Sequence, residues 1–233
     1  SDRKAALEIS DNEFEKKNAN SRSLEFTRLG LLVQVGRADA GRPEVLFRNR
    51  SEILPSHFPD QNLAARWKDL LNWKASISST NEIRFDPKEK SLSVITPKTE
   101  SFTLQKGNLQ GKIMSVRNPT SFTTVALIAL DDNILTQSKE MLLLHLTNVN
   151  CTNMIFGSPQ MTLFRQEGQM PALVLRGSAE ISLNSPYNYR ITALSVDGAP
   201  LGVVTGRRSG KQFLFKVDTG CFKGGVMAYH LTR

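Results

Sequence analysis

The residue types that do chemistry are few in this chain, and they lie far apart. His57, His145 and His230 have no second His, Cys or carboxylate at ligand spacing, so no zinc or iron site is expected. His145 sits inside Leu142-Leu143-Leu144-His145-Leu146 and reads as a core or sheet-face imidazole. No Gly-x-Ser-x-Gly turn exists to present a hydrolase nucleophile. Gly202, Gly206, Gly210 and Lys211 resemble a phosphate loop only in composition. Their intervals are wrong, and Gln212 stands where Ser or Thr must hold magnesium. That segment reads instead as a hairpin turn with Arg207 and Arg208 at its exposed tip.

Glycoside hydrolysis would need two carboxyl groups held about 5 to 10 Å apart. Asp131, Asp132, Asp197 and Asp218 have the setting of turn residues. Glu167 and Glu180 remain, and nothing in the spacing marks a pair. Sugar binding needs exposed aromatic faces flanked by hydrogen-bonding groups. Trp67, Trp73, Tyr187, Tyr189 and Tyr229 are the candidates. Trp67 belongs to a helical apolar stripe, whereas Tyr187 follows Pro186 in a loop and is the better exposed ring. The candidate carbohydrate-binding set is Trp73, Tyr187, Arg207 and Arg208, with no catalytic residue, metal ligand or cofactor site assigned.

Composition narrows the classes further. The 233 residues are 39% hydrophobic, too apolar for a disordered chain and long enough to bury a core without disulfides or metal. No 18-residue apolar run exists, which excludes a membrane-spanning helix. Lys and Arg outnumber Asp and Glu by 30 to 22, for a formal charge of +8, but no basic run of five residues occurs. Scattered charge is a poor footprint for nucleic acid, and nucleic-acid binding is not expected. Cys151 and Cys221 could pair in an oxidising compartment or sit as separate thiols.

These residues must be positioned by β-structure. Asp60 caps Gln61–Trp73, where Leu63, Trp67, Leu70 and Leu71 form one apolar stripe, predicting a short helix near 61–73. From about residue 80 onward short alternating runs are punctuated by turn residues. Ile83–Phe85 and Ser91–Ile95 flank Asp86-Pro87-Lys88-Glu89-Lys90 and predict a hairpin. Thr123–Leu130 ends at the turn Asp131-Asp132-Asn133, and Met141–Thr147 is a near-continuous buried run. Tyr189, Ile191, Ala193 and Ser195 share one face of their strand. The expected fold is mainly β: an antiparallel β-sandwich of about ten strands over 81–233, preceded by an N-terminal extension over 1–80 carrying the helix.

The strand motifs carry a resemblance. Asn81–Asp86 with Ser91–Thr99 is similar to a hairpin in bacterial cellulase-like glycoside hydrolases, where a strand, turn, thr-pro-arg-thr pattern recurs. Phe122–Asp131, Gln137–Leu144, Asn148–Met154, Pro171–Leu175 and Met227–Leu231 resemble later strands of that family in order. In those enzymes this stretch is the C-terminal β-sandwich that follows a TIM-barrel catalytic domain, and the catalytic glutamates lie on the barrel. The resemblance therefore implies a non-catalytic accessory domain whose partner is a glycoside hydrolase catalytic domain or subunit. It also implies an extracellular or periplasmic setting and a second role in contacting polysaccharide. Two other readings stand beside it. One is a self-standing carbohydrate-binding module for an anionic glycan; the other is an enzyme built from residues such as Glu167, Glu180 and His145.

Overall fold

The computed structural model describes residues 8–9, 34–35, 75–78, 80–157 and 163–233. The predicted helix over 61–73, with Trp67 and Trp73, lies outside the described residues. The chain divides into two compact units, Ser1–Leu92 and Ser93–Arg233. In the first, β1 (Glu8–Ile9) and β2 (Gln34–Val35) pair in parallel, and β3 (Ser76–Ile77) pairs antiparallel with β4 (Ile83–Asp86). The expected turn after β4 is present: the Asp86 carboxylate accepts the Lys88 and Glu89 amides, both at 3.2 Å. Strand β5 (Ser91–Ile95) crosses the boundary into the second unit.

The second unit is all β among its described residues, and alternation explains why. Along β6 (Thr99–Leu104) burial switches at every residue, with Glu100, Phe102 and Leu104 inward. The other strands are β7 (Asn108–Gln110), β8 (Met114–Arg117), β9 (Thr123–Ala129), β10 (Glu140–Leu146), β11 (Val149–Thr152), β12 (Ile155–Phe156), β13 (Phe164–Gln166), β14 (Gln169–Val174), β15 (Ser178–Asn184), β16 (Arg190–Leu194), β17 (Pro200–Val204), β18 (Arg207–Ser209), β19 (Gln212–Asp218) and β20 (Ala228–Thr232). Within this unit a large antiparallel sheet runs β17-β16-β20-β10-β9-β6, and a smaller one runs β18-β19-β15-β8-β7.

The two sheets face one another across a single core. Phe102, Leu127, Leu143, Ile191 and Tyr229 from the large sheet meet Met114, Ile181, Leu183, Phe213 and Val217 from the small one. This is the expected β-sandwich. Burying each such side chain contributes on the order of 1.5–3 kcal/mol.

A buried carboxylate ties the layers together. Glu100 on β6 is fully buried and accepts the amides of Lys112 and Met114 at 2.7 Å and of Ile113 at 3.0 Å, from the link between β7 and β8. Gly111 lets that link approach: a Cβ there would stand 2.3 Å from Glu100 Oε2.

One excursion leaves the sandwich. Strands β11 and β14 pair as a two-stranded ribbon, continued by β12 and β13. Ile155, Leu163, Phe164, Met170 and Leu173 on it are exposed, Met170 by 76%.

Two local expectations are corrected. Arg207 and Arg208 are not at a turn tip but on β18, paired with β19; the turn is Gly210-Lys211, where Gly210 takes the positive φ of 58°. The run Met141–Thr147 is not buried throughout. Met141, Leu143 and His145 point into the core, Leu142 and Leu144 are half-buried, and Leu146 is exposed. The apolar run is continuous because it serves two faces.

Candidate functional site

The sugar-binding candidates are only partly brought together. Tyr187, 42% exposed, lies in the loop between β15 and β16 as its Pro186 context suggested. Arg208 holds that loop rather than facing solvent freely. Its guanidinium donates to Ser185 O at 3.2 Å, Gly210 O at 3.3 Å, Asn188 Oδ1 at 3.0 Å and Tyr187 O. Arg207 is exposed on the same strand and faces the other way. Trp73 lies outside the described residues. Arg233, which sequence reasoning did not single out, places its guanidinium carbon 3.7 Å from the Tyr187 ring centroid and covers one face of it.

The alternative catalytic trio is dispersed. Glu180 points outward from β15 and accepts a hydrogen bond from Asn118 Nδ2 at 3.3 Å. Glu167 is exposed between β13 and β14 on the ribbon. His145 is buried on the inner face of the large sheet. No two of them share a surface. Asp131 is held as a turn residue: the Lys139 amide at 2.8 Å and the Asn133 side chain and amide keep its carboxyl down at about 2. Among the described residues no group of three His, Cys, Asp or Glu side chains is placed to hold a metal ion. Cys151 and Cys221 are separate free thiols.

A different surface stands out: the outer face of the large sheet. Period-two alternation puts Leu142, Leu144 and Leu146 of β10 there, and the strand registers extend the row in both directions. One row runs Ser101, Ala126, Leu144, Ala228, Leu194 across β6, β9, β10, β20 and β16. The next runs Thr99, Ile128, Leu142, His230, Thr192, Val203. At the usual strand spacing each row is roughly 20 Å across.

None of Ile128, Leu142, Leu144, Ala228 or Leu194 belongs to the core cluster; each is half-buried, and Ala126 beside them is buried. The ionisable side chains on this face gather at one end. His230 Nε2 meets Glu140 Oε1 at 2.9 Å, and Arg190 is on the neighbouring row. At the other end the Thr103 and Thr124 hydroxyls meet at 2.8 Å. Between these ends the face is aliphatic or small. The sequence signal for it was present in Met141–Thr147, since strands apolar on both faces read as unbroken hydrophobic runs.

No protein-family model matches the chain, and no curated protein matches it. Among the described residues no helix is long and apolar enough to cross a membrane.

Proposed function

We propose that the sandwich is a non-catalytic support domain that docks, through the outer face of its large sheet, on the catalytic domain of a polysaccharide-degrading glycoside hydrolase. The observation that carries this reading is the aliphatic row Leu144, Ala228, Leu194, half-buried on the outer face of the large sheet and outside the core cluster. An outward leucine at the centre of a sheet is costly to leave in water and favourable to cover. The resemblance of its strand motifs to the C-terminal sandwiches of cellulase-like enzymes is what suggests a glycoside hydrolase catalytic domain as the partner. A charged patch would steer many partners; an aliphatic plate with charge at one end selects by shape and leaves catalysis to the covering domain.

A second reading, a self-standing carbohydrate-binding module, is favoured by the exposed Tyr187 ring on a loop braced by Arg208. Its weakness is that Arg233 already occupies one face of that ring.

The test immobilises the chain and its Leu144→Asp variant, then passes over purified glycoside hydrolase catalytic domains from the same organism. Retention of a barrel by the wild type and its loss in the variant supports docking. No retention, or equal retention by both, overturns it. Glycan binding by the isolated chain that survives high salt would establish the module instead.

A further inference from the structure

Basic residues that are scattered along the chain are gathered by the fold at one end of the sandwich, around Tyr187. Arg208 donates to Tyr187 O there, and the Arg233 guanidinium lies 3.7 Å from the centroid of the Tyr187 ring. The Arg233 amide donates to Lys139 O at 3.2 Å, which brings in the start of β10. The Ser185 amide donates to Lys211 O at 3.2 Å, and the Asn184 amide to Ile113 O at 2.8 Å, beside Lys112. Arg190 on β16 stands opposite Thr232, the residue before Arg233. All six of these cations are exposed.

Among the described residues none of the six is in an ion pair. The four acceptors of Arg208 are three carbonyls and the Asn188 amide oxygen, all neutral. The carboxylates at this end are engaged by other groups. Asp132 Oδ1 meets Lys98 Nζ at 3.9 Å, Glu140 meets His230 at 2.9 Å, and Asp131 accepts the Lys139 and Asn133 amides of its own turn. Positive charge held by neutral partners projects a field into solvent and draws anions from outside.

Two features select the anion. The cations come from both sheets, whose faces pack about 10 Å apart, so one small ion cannot bridge them and an extended polyanion can. Tyr187 is the one exposed aromatic ring at this end among the described residues, with one face open. Single-stranded nucleic acid is held by stacking successive bases on several rings, whereas a single ring suits a single sugar.

We propose that this end of the sandwich binds an acidic polysaccharide, with its carboxylate or sulfate groups on the six cations and one sugar ring on the open face of Tyr187. Guanidinium forks match the oxygens of either group. The site does not rest on docking by the outer sheet face. It names the ligand class for the Tyr187 loop, and its hold is screened by salt.

Calorimetric titration of the full chain with polygalacturonate and with dextran sulfate, at low salt, tests this. Lys139→Glu with Arg190→Glu reverses charge at this end. Lys106→Glu with Lys223→Glu makes the same change in net charge at the opposite end, where both lysines are exposed. The first pair should weaken binding at least tenfold and the second less than threefold. If the first pair unfolds, Lys211→Glu replaces it and should weaken binding at least threefold. Leu144→Asp should bind as the wild type does, which separates this site from the docking face. Binding of one acidic polymer alone tells carboxylate from sulfate, and either result supports the site. Equal losses from the two pairs, no binding of either polymer, or equally tight binding of a neutral glucan or of oligo-deoxythymidine overturns it.

Discussion

Leu143 and Leu144 are neighbours on β10 that face opposite worlds. Leu143 is fully buried between the two sheets, whereas Leu144 looks out beside Ala126 and Ala228, away from the core. The strand thus serves the sandwich core on one side and an outward aliphatic face on the other. Truncation separates the two roles. Leu143→Ala should cost about 2–5 kcal/mol of stability by leaving a cavity. Leu144→Ala should cost less than about 1.5 kcal/mol, since a half-covered side chain loses fewer contacts. Urea denaturation of the two variants side by side measures the difference, and equal losses would mean that the outward face is already covered.

Glu100 predicts a sharper effect. Its carboxylate is the acceptor for three amides of the β7–β8 link, and Glu100→Ala strands all three in a buried site. At about 1–3 kcal/mol for each orphaned group, the loss should reach at least about 3 kcal/mol. Glu100→Gln keeps one acceptor oxygen and should lose roughly half as much. Gly111→Ala drives a methyl against the same carboxylate and should resemble the alanine variant. Thermal unfolding at neutral pH ranks the three; a neutral Glu100→Ala would refute the bracing role.

These two cases mark what was legible in the sequence. Period-two alternation located most core strands, including the inward face Tyr189, Ile191, Ala193. It passed over Asn108–Gln110, Phe164–Gln166 and Arg207–Ser209, because short strands with exposed side chains carry no apolar rhythm. The buried role of Glu100 was invisible, since an isolated carboxylate in a strand reads as solvent-facing and its partners are backbone amides. The outward aliphatic face was written in Met141–Thr147, but a continuous apolar run states only that both faces are apolar. The registers with β9 and β20 were needed to place Ala126 and Ala228 beside Leu144.

Tyr229 closes the far end of β19 in a way that a phenyl ring cannot. Its hydroxyl donates to Asp218 O at 3.1 Å and accepts the Asp218 amide at 3.0 Å, while burial raises its pKa above the ordinary tyrosine value. Tyr229→Phe leaves both backbone groups without that partner and should cost about 1–3 kcal/mol. Because Asp218 precedes Thr219, whose hydroxyl accepts the Gly177 amide and whose carbonyl accepts the Val226 amide, both at 2.9 Å, the same variant should also raise the exchange rates of those two amides at pH 7. A loss of stability with those rates unchanged would show that the Tyr229 hydroxyl and the Thr219 hydrogen bonds are uncoupled.

Arg208 and Arg233 meet the Tyr187 loop differently, and exchange for lysine should separate them. Arg208 uses its planar fork on four oxygens at once, so Arg208→Lys should lose about 1–2 kcal/mol, nearly as much as Arg208→Ala. Arg233 stacks on an exposed ring, and Arg233→Ala should cost only about 0.5–1 kcal/mol while uncovering the second face of Tyr187. If the chain is a support domain, uncovering that face changes nothing in a glycan-binding assay at high salt. If Tyr187 is the platform of a binding module, Arg233→Ala shifts glycan affinity and Tyr187→Ala abolishes it. The pair of variants therefore decides between the two functions with one titration each.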